Sequence, residues 1–415
     1  MVLRVGLCLI DRDLLGLTHF TILPAHCTVC TGMSRSSRII WGFAATGLLA
    51  AALVFSYMRF SRVFHVLLVS SVVSDHANSV ALDSLQRRLR AGDIPNLHSV
   101  LVIQHDQVIA EWYFEGADEE RGIRRLGIIK FGPATLHDVR SVTKSIVSLL
   151  FGIAIADHDI SSLDSPVLDY FPEYTDLQTP ERRKIRLRDL LPMTSGLHWD
   201  EWSYPYTDIR NSEIAMDRSP DRYRYILSQP IDSAPGTQWR YSGGDAALVA
   251  AVVTRSTKVP IDIYAGKKLF APLGITKFVW LKDGQGIPFA ASGLRLLPSD
   301  MAKIGFLLLH DGRDPSGHQI VSESWLREST TPQVTAVEDK SCTIKYGYFW
   351  WLGARACLQD SAVCRHGQWW SVDLGFTLTG YRDRHRGGTL QQPSAEPRAR
   401  SARCSGRRVK PPATR

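Results

Sequence analysis

The chain has 415 residues, 44% hydrophobic and 22% charged, an ordinary globular balance with enough length for one large domain or two. Its net charge of +8 is confined to the end: residues 365–415 hold 11 Lys and Arg against 3 Asp and Glu, so the remainder is neutral. A Pro/Arg/Ser tail without aromatic interleaving or a recognisable binding module gives no nucleic-acid interface, and no nucleic-acid partner is expected. Seven scattered cysteines make no disulfide framework, and Cys27 with Cys30 form a lone CxxC without a second pair, so no metal is assigned.

Residues 1–38 read as an N-terminal extension, and Met33 is an alternative start directly ahead of the basic Ser-Arg-Ser-Ser-Arg leader. Residues 39–58 are uncharged and apolar for 20 positions, about the ~30 Å of a bilayer core at helical rise. Arg35 and Arg38 precede this run and no clean cleavage site follows, which favours an uncleaved transmembrane or signal-anchor helix over a signal peptide. A buried core helix is the alternative, although such helices usually keep some polar face. An anchor there expects the following domain outside the cytoplasm, in the periplasm of a Gram-negative bacterium.

Residues 75–364 are expected to form the main domain. The stretch 80–92 reads as a helix, and 99–114 as two β-rich runs around His105-Asp106-Gln107, a hairpin. Ser141 opens a stretch in which Ile146, Leu149, Leu150 and Ile153 recur at helical spacing with apolar residues between them, the mark of a buried helix. Residues 160–240 are rich in Pro, Asp, Tyr and Trp, with a short helix at Leu187–Leu191 and the loop MTSGLHWDEW (193–202). Asp245 is the expected N-cap of an apolar helix, and Ser299 that of another running to His310. KYGYFWWLG (345–353) reads as an aromatic strand. A hairpin first, helices between and strands last predicts one sheet built from both chain ends with a helical insertion.

Ser141-Val142-Thr143-Lys144 is an S-x-x-K, whose spacing on a helix puts hydroxyl and amine on one face. The tetrapeptide also fits a capping serine with a surface lysine. Its place in the first turn of an apolar helix favours chemistry: desolvation lowers a lysine's pKa, and a neutral amine beside a hydroxyl is a general base. Tyr241, on the turn before the next apolar helix, is a phenol of ordinary pKa about 10 that needs a nearby ammonium to relay protons at neutral pH. Packing of the turn is its alternative role. Together they imply acyl transfer: Ser141 attacks, Lys144 takes its proton, Tyr241 protonates the leaving group, and the Ser141 backbone N–H at the helix start is a natural oxyanion donor.

At SVTK (141–144), LLPMTSGLHWDE (190–201), PGTQWRYSGGDAALVA (235–250) and SGLRLLPSDMAKIG (292–305) the chain resembles the class C β-lactamase-like serine hydrolases. This family spans β-lactamases, D-alanyl-D-alanine carboxypeptidases, carboxylesterases and 6-aminohexanoate-dimer hydrolases. The likeness covers roughly residues 95–353 and is strongest for the esterase and oligomer-amidase branch. It implies an α+β fold, an antiparallel sheet flanked by helices with an inserted helical region, and no cofactor. Class C β-lactamases carry an asparagine two residues after the tyrosine, where this chain has Gly243, which puts β-lactam hydrolysis in doubt. Gly243, Trp199, Trp202 and Tyr204 are candidate substrate contacts, and Tyr206 belongs to the same aromatic loop; ordinary loop packing is the alternative. The expected substrate is an ester or unstrained amide. A penicillin-binding carboxypeptidase or β-lactamase, and an inactive envelope binding or sensing protein, remain open, as does the oligomeric state.

The family's third element, a glycine-rich edge strand supplying a second oxyanion N–H, is absent in this frame. Arg365-His366-Gly367-Gln368-Trp369-Trp370 only echoes it. The two tryptophan codons, each followed by T, give Gly-Gly one base forward, and with the codon choice CGG CAT GGG CAA TGG TGG TCA G the shifted reading is Gly-Met-Gly-Asn-Gly-Gly-Gln, the family motif. Tyr381 to Arg386 becomes an apolar alternation like a buried final strand. A frameshift between about Trp351 and Arg365 is therefore expected, with 365–415 an out-of-frame, disordered basic tail; a diverged genuine tail is the alternative.

Overall fold

The computed structural model describes residues 65–69, 75–90, 96–104, 106–338 and 343–353. The extension 1–38, the apolar segment 39–58 and the tail 365–415 lie outside the described residues, and so does His105 of the predicted hairpin turn. Among the described residues no helix is long and apolar enough to cross a membrane.

Strands β1 (His65–Val69), β2 (Ser99–Gln104) and β3 (Gln107–Tyr113) form a sheet in that order, β1 parallel to β2 and β2 antiparallel to β3. The predicted hairpin is thus present, and helix α1 (Asp75–Arg90) covers the stretch predicted from residue 80. A second hairpin joins β4 (Glu115–Glu120) to β5 (Arg124–Lys130). Strand β6 (His137–Asp138) pairs with β8 (Leu294–Leu296), which also pairs with β7 (Phe278–Trp280). At the end of the described chain, β9 (Val334–Glu338), β10 (Thr343–Tyr346) and β11 (Trp351–Gly353) form an antiparallel sheet. Among the described residues every strand pairing except β1 with β2 is antiparallel, as expected of the α+β class.

The single sheet drawn from both chain ends is corrected. Among the described residues the first strands, β1 to β3, and the last, β9 to β11, lie in separate sheets, and β1 pairs along one edge of β2. A strand edge exposes a row of unpaired N–H and C=O groups and recruits whichever segment reaches it. The aromatic strand 345–353 is also corrected to a hairpin, because Phe349 has φ 64° and breaks the extended run between β10 and β11.

Helix α2 (Val142–Ala156) is the core's central element, with every residue from Val142 to Ala154 buried. It packs on α6 (Gly243–Thr257), which is buried from Gly243 to Val253. The remaining helices are α3 (Leu187–Leu190), α4 (Ser212–Arg218), α5 (Arg222–Ser228), α7 (Ile261–Ala265), α8 (Pro298–Leu309) and α9 (Glu323–Ser329). Two cap assignments shift: Ser242, whose side chain accepts from the Asp245 N–H, caps α6, leaving Asp245 inside its first turn. Helix α8 begins with Pro298 in the first turn, where a missing N–H costs nothing, so Leu297 precedes it instead of Ser299. Gly152 is fixed by packing: a Cβ there would lie 2.1 Å from Cδ1 of Trp325, whose indole donates to the Ser148 carbonyl at 2.9 Å.

Candidate active site

The approach to Ser141 is held by β6 and β8, whose register sets Asp138 opposite Arg295. Past the sheet, the Val139 N–H donates to Leu294 O at 3.0 Å. Arg140 then adopts φ 49°, a left-handed conformation costly for a bulky residue, and its N–H donates to Asp138 Oδ1 at 2.9 Å. This kink turns the chain from strand to helix and delivers Ser141 to the N-cap of α2. Ser141 makes no side-chain capping hydrogen bond, which sets aside the capping-serine alternative.

Lys144 is 1% exposed, so it is no surface lysine. Its Nζ donates to Ser141 Oγ at 3.3 Å and to Ala291 O at 2.9 Å, and lies 4.7 Å from the centroid of the Tyr241 ring. Ala291 precedes β8, so the sheet that sets the approach to Ser141 also places the lysine's acceptor. The structure therefore brings Ser141, Lys144 and Tyr241 together, although 97 positions separate the lysine from the tyrosine in sequence. The buried Tyr241 ring is stacked against Trp202 (centroids 5.5 Å apart, 17° between planes) and Trp351 (5.7 Å, 27°), with Trp239 tilted beside it.

Two acids complete the site, and the sequence reading misses both. Glu201 and Glu213 are buried, 3% and 1% exposed, with their carboxyl groups within hydrogen-bonding reach of each other. Asn211 draws them together: its Nδ2 donates to the Glu201 and Tyr204 carbonyls, and its Oδ1 accepts from the Glu213 N–H at the start of α4. Glu213 Oε1 accepts from Arg121 Nη2 at 2.9 Å and Ser292 Oγ at 2.8 Å. Although burial opposes its charge, Lys144 and Arg121 hold Glu213 ionised, well below the usual carboxylate range. Glu201 goes the other way: burial, then the charge of Glu213, push it up and keep its proton on. It accepts from Trp199 Nε1 at 2.6 Å, Tyr206 OH at 3.1 Å and the Gly243 N–H. The LLPMTSGLHWDE stretch already ends on Glu201; Arg121 and Ser292, 171 positions apart, carry no such local signal.

The candidate substrate residues separate by environment. Trp202 stacks on Tyr241 and is half-buried at its rim. Trp199 is buried, with its ring over Gly244, where a Cβ would approach to 2.6 Å, and it reaches the site only through Glu201. Tyr204 stacks under the Arg210 guanidinium, 4.3 Å away, while Tyr206 faces Glu201 and Arg140. Gly243 abuts the acid pair: a Cβ there would lie 2.8 Å from Glu213 Oε2 and 3.2 Å from Glu201 Oε2. Among the described residues no cluster of His, Cys, Asp and Glu is arranged to hold a metal ion.

A hydroxyl at a helix start, an amine in contact with it and a phenol against that amine are the parts of a nucleophilic acyl-transfer site. The Beta-lactamase family model matches residues 82–385, reaching past the last described residue. The 6-aminohexanoate-dimer hydrolase of Paenarthrobacter ureafaciens is 25% identical, over 79% of this chain and 80% of its own length. A putative D-alanyl-D-alanine carboxypeptidase of Escherichia coli K12 is 23% identical over 44% of this chain and 42% of its own. Among solved structures, EstCE1, a hydrolase with promiscuous acyltransferase activity, aligns with TM-score 0.51 and 17% identity over 71% of this chain and 86% of that one, a likeness of fold. With the family model matched across most of its length, this chain belongs to the β-lactamase family of serine-hydrolase-like proteins.

Proposed function

We propose that the chain hydrolyses an ester or unstrained amide through an acyl-enzyme on Ser141. The observation that carries this reading is Lys144 Nζ, 3.3 Å from Ser141 Oγ and 4.7 Å from the Tyr241 ring centre. In its neutral form Lys144 accepts the Ser141 proton as Oγ attacks the carbonyl carbon. The Tyr241 phenol relays that proton to the departing alkoxide or amine as the C–O or C–N bond breaks; water then attacks the acyl carbon, the C–Oγ bond breaks, and the water's proton passes to Oγ, which frees the acid and restores Ser141. The Ser141 N–H at the start of α2 faces the developing oxyanion. Support for the substrate class comes from the similarity to the 6-aminohexanoate-dimer hydrolase and from Gly243, which brings no side chain where class C β-lactamases bring an amide.

The test is turnover of a p-nitrophenyl ester together with covalent labelling by a fluorophosphonate. Both are expected in the wild type and absent in Ser141→Ala of unchanged melting temperature. Turnover that survives Ser141→Ala overturns the reading. Turnover of a chromogenic cephalosporin promotes the β-lactamase alternative, and tight peptidoglycan binding without labelling promotes a sensor. We also propose that residues 39–58 tether the domain to a membrane, outside the cytoplasm; extraction of the full-length protein by alkaline carbonate would count against it.

A further inference from the structure

The acyl-transfer scheme leaves two buried acids without a task. Isolated buried carboxyls are expensive, and here two lie against each other beside a buried lysine. The surroundings are built for them. Lys144 faces them from α2, Arg121 from the β4–β5 turn, Asp217 from α4, Tyr206 and Trp199 from the 199–206 loop, Tyr241 from the turn before α6, Tyr346 from β10 and Ser292 from the approach to β8. Arg121 ties the group together, donating to Glu213, to Asp217 at 2.5 Å and to Ser292 at 3.0 Å. The glycine at 243 is required by the same arrangement, because a side chain there would occupy the space of the two carboxyls.

We propose that Glu201 and Glu213 share one proton and act as paired positioning residues for the acylating set, Glu213 as counter-ion of the Lys144 ammonium and Glu201 as clamp on the Tyr241–Gly243 turn. The proposal rests on the hydrolase reading and adds to it where the site keeps its charge. When Lys144 takes the Ser141 proton, the ammonium forms beside a carboxylate that Arg121 and Ser292 already hold in place, so its charge is met without reorganisation of solvent. The acid form of Glu201 donates its proton to Glu213 while its oxygens accept from Trp199, Tyr206 and the Gly243 N–H. The turn that carries Tyr241 is thereby fixed to the helix that carries Glu213. Loss of the shared proton, at pH above about 8, leaves two adjacent anions with one hydrogen bond fewer, and the turn loosens.

The experiment combines infrared titration with pH-rate profiles. Wild-type protein at pH 7 should show a buried carboxylic-acid band that fades as the pH rises through about 8 and loses intensity in Glu201→Gln, the remainder belonging to Asp245, which burial also pushes up to about 8. The alkaline limb of kcat in that variant should move upward by about one pH unit or more, because a glutamine keeps the donor without titrating. Glu213→Gln should lower kcat about tenfold or more with KM within about twofold, the pattern of a group acting on the reacting machinery instead of on substrate binding. Absence of the acid band from the wild type at pH 7 overturns the proposal, as does an alkaline limb identical in Glu201→Gln. Because Asp245 shares the band, only the part lost on substituting Glu201 counts; if Glu201→Gln fails to fold, Glu201→Asp takes its place, and a band of wild-type intensity and midpoint in that variant overturns the proposal. If fluorophosphonate never labels Ser141, the hydrolase reading fails while the band still decides the acid pair.

Discussion

Replacing Glu201 by glutamine is expected to make the protein more stable, and increasingly so as the pH rises. In the folded protein the Glu201 carboxyl is pushed from its ordinary 4.5 up to about 8 by burial and by the neighbouring Glu213. The folded state therefore holds a proton that the unfolded chain releases, and stability falls as the pH climbs from 4.5 through about 8. At pH 7 the gap of about 2.5 pH units, at about 1.36 kcal/mol each, makes a ceiling of roughly 3 kcal/mol against folding. At pH 5 the same reckoning gives under about 1 kcal/mol. Glu213, held down to about 2, acts in the opposite sense: its contribution is present above 4.5 and lost as the pH falls toward about 2, so it adds no slope between pH 5 and 8. Glutamine removes the titration and keeps the shape. Its gain over wild type in urea unfolding should be about 2 kcal/mol larger at pH 7 than at pH 5. An equal difference at both pH values, or a loss at both, refutes the assignment of the buried proton.

Lys144→Met should cut the single-turnover acylation rate about 10²- to 10⁴-fold, the usual worth of a positioned general base, while ester binding is retained; acylation at the wild-type rate would remove Lys144 from the mechanism. Gly152→Ala should destabilise by about 1–3 kcal/mol or prevent folding, since the new methyl would overlap the Trp325 indole, and adding Trp325→Leu should recover part of the loss in thermal melts. Gly243→Asn should lower ester turnover about tenfold or more without conferring cephalosporin turnover, because the side chain meets Glu213 and Glu201 before it reaches a substrate. Coding DNA should read Arg365 to Ser371 with codons that give the glycine-rich motif one base forward; codons incompatible with that reading identify the tail as genuine.

Local patterns were legible where one segment decides its own fate. The apolar run after Ser141 is buried almost throughout, and such a run has no alternative to the core. The β-rich runs 99–104 and 107–113 pair as a hairpin because so brief a link between them leaves antiparallel neighbours as the outcome. Caps were misplaced by two or three positions at α6 and α8, where Ser242 competes with Asp245 and a proline takes the first turn. Such choices turn on which side chain reaches a backbone N–H, and several residues in each segment qualify. The hairpin hidden in 345–353 depends on Phe349 at positive φ. Its amide donates to Leu191 O and its carbonyl accepts from Ser145 Oγ, contacts that close over more than 150 positions.

The candidate site divides along the same line. Ser141 and Lys144 are three residues apart on one helix, so helical geometry alone presents them together. Tyr241 needs the packing of α2 on α6 and was reached through a resemblance of motif. Glu201 and Glu213 show what an apolar helix leaves unsaid about the groups around a buried lysine. Desolvation, the only effect readable from an apolar helix, argues for a neutral amine. The structure sets beside Lys144 a carboxylate tied to Arg121 and Ser292, and burial next to it keeps the proton on Glu201, which limits that carboxylate pair to one negative charge. An acid–carboxylate pair can thus compensate an ammonium through the proton-transfer cycle without burying two net charges. Its parts come from six separate stretches between Arg121 and Ser292, and only the folded chain brings them within a hydrogen bond of one another.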